Sequence, residues 1–342
     1  MTATQVSELT PLQELSARIG NDPLLTQGST GNASIKLDGS LWIKASGKWM
    51  ADAAREEILV PLDLEAVRQC VSASVDPTEH YTSASIETAM HAVFPHRVVL
   101  HVHCVDTIAW AVLRDAPAQL EGRLRGLRWQ WIPHVSSGLA LARAIEKAMR
   151  VDAGTQVLIL GNHGLVLGGP DCRAVDGLLE EVRRRLSVPP RRAHPADYAA
   201  LWEASEALEW DIAEDDDVHA LGTDPVARGI LAGGLLYPCQ AIFAASSNPA
   251  ALFRAVPFSG YGNGFTGSYR NRPFLILEDR GVIFNMTTTP AARAMLGGLA
   301  QVVQRIGPNV PLRYLTDDET PDIYGVLASR YRELSSAGRA HS

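Results

Sequence analysis

Two histidines lie two positions apart within an apolar segment, VVLHVHCVDTIAW at residues 98–110. The apolar residues around His101 and His103 predict a buried β-strand over 97–104. Side chains at i and i+2 of a strand point to the same face, so the two residues lie about 6–7 Å apart at their Cα atoms. Because unpaired buried imidazoles are unfavourable, the spacing indicates either a shared metal ion or two core histidines bonded to backbone carbonyls.

A third histidine and a carboxylate are candidates for the same centre. His163 lies in NHGLVLGG between Gly161 and Gly164, at a predicted tight turn between two short strands within 155–169. Three neutral histidines with one open coordination position form a common catalytic zinc site. Glu87, in TSASIETAMH, is predicted to lie on the helix that leads into the histidine strand. Four such groups together favour a metal site over a packed core.

The elements that must position these groups alternate helices with short strands. Apolar spacing predicts helices at 7–19, 83–93, 138–149, 171–186, 197–214 and 290–305. Strands are predicted at 240–245, 274–278 and 281–285, and in ASIKL and SLWIKA on either side of the turn signal Asp38-Gly39. This pattern favours α/β layers with at least partly antiparallel strands over a doubly wound parallel sheet.

The composition is that of a soluble globular protein with a sizeable core, since 46% of the residues are hydrophobic and 20% are charged. A net charge of −7 argues against nucleic-acid binding. No segment approaches the roughly 18 uninterrupted apolar residues of a membrane span, and the N-terminal segment has no secretory signal. The four cysteines form no CxxC and are expected to be reduced. The expected location is the cytoplasm.

Five motifs follow one another in an order typical of one family: QGSTGNASIK, WIKASG, SASIETAMH, HVH and NHGLVLGG. Over about residues 10–215 the chain resembles the class II aldolase/adducin family, which includes fuculose- and rhamnulose-phosphate aldolases and ribulose-phosphate epimerase. The resemblance implies a layered α/β/α fold with a central, largely antiparallel sheet. Residues 1–215 would form the metal-binding catalytic domain, and residues 216–342 a smaller α/β extension of unknown role. The extension resembles the tail of the aldolase half of bifunctional rhamnulose-phosphate aldolase/lactaldehyde dehydrogenase proteins.

The resemblance also implies a metal-dependent mechanism. His101, His103 and His163 would hold a divalent metal, usually Zn²⁺, with Mn²⁺, Fe²⁺, Co²⁺ and Ni²⁺ as alternatives. The metal would act as a Lewis acid that stabilises an enediolate of a keto acid or sugar phosphate. Glu87 would remove or return a proton at the nucleophilic carbon. Glu87 could instead ligate the metal while the substrate site is empty, and the sequence does not decide between these roles.

In sugar-phosphate members of the family, this loop and the Thr/Ser-Gly pair after it bind the phosphate through hydroxyls and backbone amides. The resemblance therefore implies that the GSTGN loop and the Ser-Gly pair of this chain bind the anionic end of a small-molecule substrate. The predicted substrate-binding residues are Ser29, Thr30, Gly31, Asn32, Lys44, Ser46, Gly47 and Ser85. Small aldolases have a second serine where this chain has Ile86, so one hydroxyl is lost. Lys44 could supply a charge instead, or lie exposed on its strand. Carboxylate and phosphate anchors therefore both stay open.

His134 takes the place of a tyrosine that handles a proton at a neighbouring subunit's site in several aldolases. It is predicted as a second catalytic residue, because histidine can transfer protons near neutral pH; the alternative is a surface histidine at a helix start. The resemblance further implies a homo-oligomer with sites near subunit interfaces.

The leading hypothesis is a metal-dependent aldolase. The alternatives are a sugar-phosphate 4-epimerase, a decarboxylase, an iron-dependent oxygenase and a non-catalytic adducin-like assembly module. The segment GNGFTG at 262–267 matches the dinucleotide motif GxGxxG but lacks a predicted strand before it and a helix after it. We therefore predict a flexible loop there rather than a nucleotide site.

Overall fold

The part of the chain that can be described covers nearly all of the predicted elements. A computed structural model of the 342 residues describes residues 3–244, 248–258, 269, 271–319 and 333–335. The predicted loop at 262–267 lies outside these residues. In the described ranges, no helix is long and apolar enough to cross a membrane.

The described residues include ten strands and thirteen α-helices. The strands are β1 Asn32–Leu37, β2 Ser40–Lys44, β3 Leu59–Asp63, β4 Val98–Val102, β5 Trp129–Ile132, β6 Val157–Leu160, β7 Gly164–Gly169, β8 Asp211–Ile212, β9 Phe274–Leu277 and β10 Gly281–Phe284. The helices are α1 Ala3–Gly20, α2 Leu64–Ala73, α3 Thr88–Val93, α4 Val105–Ala111, α5 Ala116–Arg123, α6 Leu139–Val151, α7 Cys172–Leu186, α8 Tyr198–Leu208, α9 Ala220–Thr223, α10 Pro225–Ala232, α11 Pro238–Ala244, α12 Pro249–Leu252 and α13 Pro290–Gln304.

A seven-stranded sheet forms the centre of the fold, in the order β3-β2-β1-β4-β7-β6-β5. Every neighbouring pair is antiparallel except β5 and β6. This arrangement confirms the predicted α/β fold with a largely antiparallel central sheet.

Helices cover both faces of the sheet, so the middle strand β4 is buried throughout. Val98 and Leu100 pack with α1 and α7, whereas Val99 packs with α3 and α6. Alternate residues of a strand face opposite sides, which places His101 on the same side as α3. The apolar run around the histidines is therefore a strand buried on both faces.

The strand register brings three chain segments to one edge of the sheet. Asn32, the first residue of β1, lies opposite His101 near the end of β4. Val102, the last residue of β4, lies opposite Leu165 at the start of β7. Because both neighbours run antiparallel to β4, the GSTGN loop and the NHG turn meet the histidine strand at this edge.

A second, three-stranded antiparallel sheet has the order β8-β10-β9. Its first strand precedes residue 215, and one hydrophobic cluster joins Val105 and Ile108 to residues of the extension such as Tyr237 and Leu296. Side chains from both sides of residue 215 thus share a core. The division into domains at 1–215 and 216–342 stays a prediction.

Three predicted elements differ from the structure. The predicted strand at 240–245 is wrong, because residues 240–244 belong to α11, which begins at Pro238, a favourable first position for a helix. The predicted helix at 83–93 begins only at Thr88. The predicted helix at 197–214 ends at Leu208, where the next residue adopts a left-handed conformation that stops the helix.

Candidate metal centre

The three predicted histidine ligands converge at the sheet edge. His101 and His103 come from β4 and the residue beyond it, and His163 comes from the turn between β6 and β7. Their ligand atoms lie within 4.8 Å of one another, and Nε2 of His101 is 3.1 Å from Nε2 of His103. Two nitrogens bound to one tetrahedral Zn²⁺ would be about 3.3 Å apart. The three side chains therefore fit a single metal ion.

The outer nitrogens of two of these rings are hydrogen-bonded. Nδ1 of His101 donates to the carbonyl oxygen of Leu165 at 3.0 Å, and Nδ1 of His103 lies 3.3 Å from Sγ of Cys239. Such outer partners fix the orientation of a ligand ring and leave Nε2 for the metal. The sequence contained no signal for Cys239, because α11 reaches the site only through the tertiary fold.

Glu87 lies directly against the histidines. Its Oε1 is 3.3 Å from Nε2 of His101 and 3.2 Å from Nε2 of His163. Glu87 precedes the first turn of α3 instead of lying within a helix. Burial raises the pKa of the Glu87 carboxyl, but the adjacent imidazoles of His101 and His163 outweigh it and hold the pKa well below its usual range. The carboxylate is close enough to act as a fourth ligand or as a base.

A chain of hydrogen bonds holds the second oxygen of Glu87. Nδ2 of Asn32 donates to Oε2 at 2.7 Å, Nε2 of His91 bonds to Oδ1 of Asn32, and Nδ1 of His91 lies 2.7 Å from Oγ of Ser34. Burial lowers the pKa of His91 to about 3. His91 is therefore neutral near pH 7, with Nε2 donating and Nδ1 accepting. His91 was not among the predicted site residues, although it lies one helical turn after Glu87.

Lys44 places a buried cation beside the same site. Its side chain is 2% exposed, and Nζ donates to the carbonyl oxygens of Ser29 at 2.9 Å and Lys48 at 2.6 Å. Burial lowers the pKa of Lys44 to about 8, although the nearby Glu87 carboxylate raises it. The alternative of an exposed position for Lys44 is wrong.

A cavity of about 40 Å³ opens onto these groups. Its lining includes five predicted substrate-binding residues, which are Thr30, Gly31, Asn32, Lys44 and Ser85. Glu87, His103 and His163 also face it. The remaining wall consists of Ile86, Ser137, Pro238, Cys239 and Ile242. The candidates for metal binding and for anion binding therefore line one cavity within a single chain. The homo-oligomer stays a prediction.

The other predicted site residues lie outside this lining. Oγ of Ser29 is 2.6 Å from Oγ of Ser335. A Cβ atom at Gly47 would lie 2.5 Å from that of Leu334. Residues 333–335 therefore lie against both Ser29 and Gly47. The backbone N–H of Ser46 donates to the carbonyl oxygen of Ser83. The roles of these residues in substrate binding stay predictions.

His134 is half-buried and also lies outside the cavity lining. Burial lowers its pKa to about 4, although Glu319 raises it. The ring is therefore neutral near pH 7. Its predicted role in proton transfer is untested.

Comparison with known proteins identifies the family. The profile of the class II aldolase and adducin N-terminal domain matches residues 12–188, which is more than half of the chain. The chain belongs to this family.

Individual relatives are distant. The uncharacterized oxidoreductase YuxG of Bacillus subtilis (strain 168) is 25% identical over an alignment that covers 44% of this chain and 25% of that protein. The chain thus spans about a quarter of that relative's length. A class II aldolase domain from Thermoplasma acidophilum is 20% identical, with a TM-score of 0.46, in a match that covers 52% of this chain and 92% of that domain. L-fuculose-1-phosphate aldolase from Thermus thermophilus is 18% identical, with a TM-score of 0.38, in a match that covers 52% of this chain and 91% of that aldolase.

Proposed function

We propose that this protein is a divalent-metal-dependent aldehyde-lyase that forms or cleaves a carbon–carbon bond of a short keto acid or ketose phosphate. One observation carries the proposal. Three histidine side chains meet a buried carboxylate at a cavity that also contains a buried cation. A non-catalytic assembly module has no need for this combination of groups.

Zn²⁺ is the first candidate for the metal, because His101, His103 and His163 supply neutral nitrogen ligands of the kind it prefers. When bound, the metal supplies Lewis-acid polarisation of the substrate's carbonyl and hydroxyl oxygens. Mn²⁺, Fe²⁺, Co²⁺ and Ni²⁺ accept the same ligands, and elemental analysis of the purified protein distinguishes them.

Glu87 is the proposed base. In the synthetic direction, its carboxylate removes a proton from the carbon next to the substrate's carbonyl group, that carbon attacks the carbonyl carbon of the aldehyde, and the resulting alkoxide takes up a proton to become the product's hydroxyl group. In the cleavage direction this hydroxyl group loses its proton, the carbon–carbon bond breaks and the aldehyde leaves, and Glu87 returns the first proton to the same carbon. The bond from Asn32 to Oε2 leaves Oε1 directed at the histidines. Asn32 thus orients the base.

The hydrogen-bond donors available to the substrate's anionic group favour a carboxylate over a phosphate. An ammonium group has three N–H donors, and Lys44 uses two of them for carbonyl oxygens, which leaves one for a ligand. A carboxylate presents two oxygens and a phosphate three, so a short keto-acid anion is the better match.

The first test of this function is metal content. We expect about one equivalent of a divalent metal per chain in the wild type, as for other three-histidine sites. The variant His163→Ala should lose it on dialysis, whereas His80→Ala, which changes an exposed histidine, should keep it. Wild-type protein that takes up no divalent metal would contradict the proposal.

The second test is a cleavage screen across hydroxylated keto acids and ketose phosphates, with release of the aldehyde as the readout. Glu87→Gln keeps the shape of the side chain and removes the base, so kcat should fall by about 100-fold or more. Glu79→Gln changes an exposed carboxylate eight residues earlier in the chain and should leave kcat unchanged. Full turnover by Glu87→Gln would rule out this mechanism, even for an active aldolase.

A further inference from the structure

Helix α11, from the C-terminal extension, lies against the metal centre. Its Cys239 is 5% exposed and lines the cavity together with Pro238 and Ile242. The sulfur of Cys239 lies 3.3 Å from Nδ1 of His103. The extension therefore contacts one of the three proposed ligands through a side chain.

This contact has a defined chemical consequence. A neutral histidine that binds a metal through Nε2 carries its proton on Nδ1, and this N–H needs an acceptor. For His101 the acceptor is the backbone carbonyl of Leu165. For His103 it is the sulfur of Cys239. A thiol sulfur accepts weakly, but in a buried site the alternative is an N–H with no partner.

Hydrogen bonds fix the position of the start of α11. Oε1 of Gln240 accepts the backbone N–H of Leu236 at 2.6 Å and that of Tyr237 at 3.3 Å. The carbonyl oxygen of Leu236 in turn accepts from Nδ2 of Asn162, the residue immediately before His163. The extension is thus bonded to the surroundings of two of the three histidines.

We propose that Cys239 is a positioning residue of the metal centre. Its sulfur accepts the Nδ1–H of His103 and holds the ring in the tautomer and orientation that direct Nε2 to the metal. This inference rests on the proposed function, because it assumes that the three histidines bind a metal. It assigns the C-terminal extension a role in building the site.

The test compares Cys239→Ser with Cys239→Ala in the full-length protein. These two variants differ by a single hydroxyl, which can accept the hydrogen bond. Apoprotein is titrated with Co²⁺, and its visible d–d spectrum and dissociation constant are measured. Loss of an outer partner of a ligand typically weakens metal binding by about 10- to 100-fold. We expect that loss for Cys239→Ala, with an altered d–d spectrum, and a substantial rescue for Cys239→Ser.

Two controls separate positioning from folding. Cys172→Ser changes a half-buried cysteine at the start of α7 and should bind Co²⁺ like the wild type. The melting temperatures of the metal-free Ala and Ser variants should agree, so that a difference in affinity is not a difference in folding.

Three results are decisive. Wild-type affinity and spectrum for Cys239→Ala would overturn the positioning role. A sulfur-to-cobalt charge-transfer band that disappears in Cys239→Ser would also overturn it, because the sulfur would then be a ligand. Failure of the wild type to bind Co²⁺ would instead overturn the proposed function, and with it the premise of the inference.

Discussion

Lys44 is a residue whose burial gives the site a testable pH dependence. Its pKa is lowered to about 8 by burial, so the ammonium form is lost as the pH rises through 8. Because Lys44 is the proposed partner of an anionic substrate, KM should rise above this pH. Lys44→Met should raise KM by about 10-fold or more at pH 7, as expected for loss of a charged hydrogen bond, and should remove this pH dependence. Steady-state kinetics between pH 6 and pH 9.5 measure both effects.

Lys36 provides a matched control for Lys44. It is another largely buried lysine, its Nζ donates to two backbone carbonyls, and burial lowers its pKa to about 7. It lies outside the cavity lining. Lys36→Met should leave the pH profile of KM unchanged. If Lys44→Met does not alter the pH profile of KM, a different titrating group determines that profile.

His91 is connected to Glu87 through the side chain of Asn32. His91→Phe keeps a ring in the core but leaves Oδ1 of Asn32 and Oγ of Ser34 without their partner. An unsatisfied buried group costs about 1–3 kcal/mol, so the free energy of unfolding should fall by at least that amount. The orientation of Glu87 should also be lost, which lowers kcat while the metal content stays close to that of the wild type.

The pH dependence of stability checks the protonation state of His91. Its pKa in the folded protein, about 3, is below the ordinary value of 6.5. The unfolded chain therefore binds more protons than the folded one below about pH 6.5, and His91 destabilises the fold as the pH falls toward 3. Urea unfolding of wild type and His91→Phe at pH 7 and pH 5 measures this contribution. A difference in stability that does not depend on pH would contradict a neutral, buried His91.

The parts of the site that lie on regular strands were predictable from sequence. The HVH spacing correctly predicted a buried strand and two imidazoles on one face, because strand periodicity alone determines the side. The NHG turn between two strands was also confirmed. Glu87 lies beside the histidines as predicted, but it precedes α3 and is not within the helix. A few residues of apolar spacing do not define where a helix begins.

Helix α11 shows why the remainder of the site was not predictable. CQAIFA is a short apolar run, and such runs fit a strand as well as a buried helix. Pro238 was the available signal for a helix start. The contact of Cys239 with His103 depends on packing across 136 residues of sequence, which no local pattern encodes. His91 was missed for the same reason, because its partners lie on β1.

The turn that carries His163 is bonded to the C-terminal extension through the side chain of Asn162. Asn162 has a positive φ of 52°, and its side chain donates to the carbonyl oxygens of Leu236 and Arg313, both at 2.8 Å. Asn162→Ala should lower the free energy of unfolding by about 2–4 kcal/mol, because it combines left-handed strain with the loss of these bonds. Asn162→Gly removes the bonds without the strain and should cost less. Urea unfolding provides the measurement.

Asp38 is the control for backbone strain. It has a similar φ of 49° in the exposed β1–β2 turn, so Asp38→Ala should cost only about 1–2 kcal/mol. Metal affinity should fall for Asn162→Ala and stay unchanged for Asp38→Ala. Equal losses of stability for the two alanine variants would mean that the bonds from Asn162 to the extension contribute nothing.

For the whole molecule, the shared core bears on the predicted division at residue 215. Val105 and Ile108 of α4 are fully buried in a cluster that includes Tyr237 and Leu296 of the extension. Exposing small side chains to water would cost little free energy, but these four side chains are large and apolar. Burial of such a side chain stabilises a fold by about 1.5–3 kcal/mol. Removal of residues 216–342 should therefore expose part of the core of residues 1–215.

A fragment of residues 1–215 tests this dependence. We expect it to bind a hydrophobic dye, to unfold at lower urea concentrations than the full chain, and to bind Co²⁺ at least about 10-fold more weakly, since it lacks Cys239. Residues 216–342 supplied as a separate chain should restore part of the affinity, whereas an equal amount of an unrelated protein should not. A fragment that unfolds cooperatively at the full chain's midpoint and binds Co²⁺ equally well would establish residues 1–215 as an independent domain. The metal centre would then need nothing from the extension.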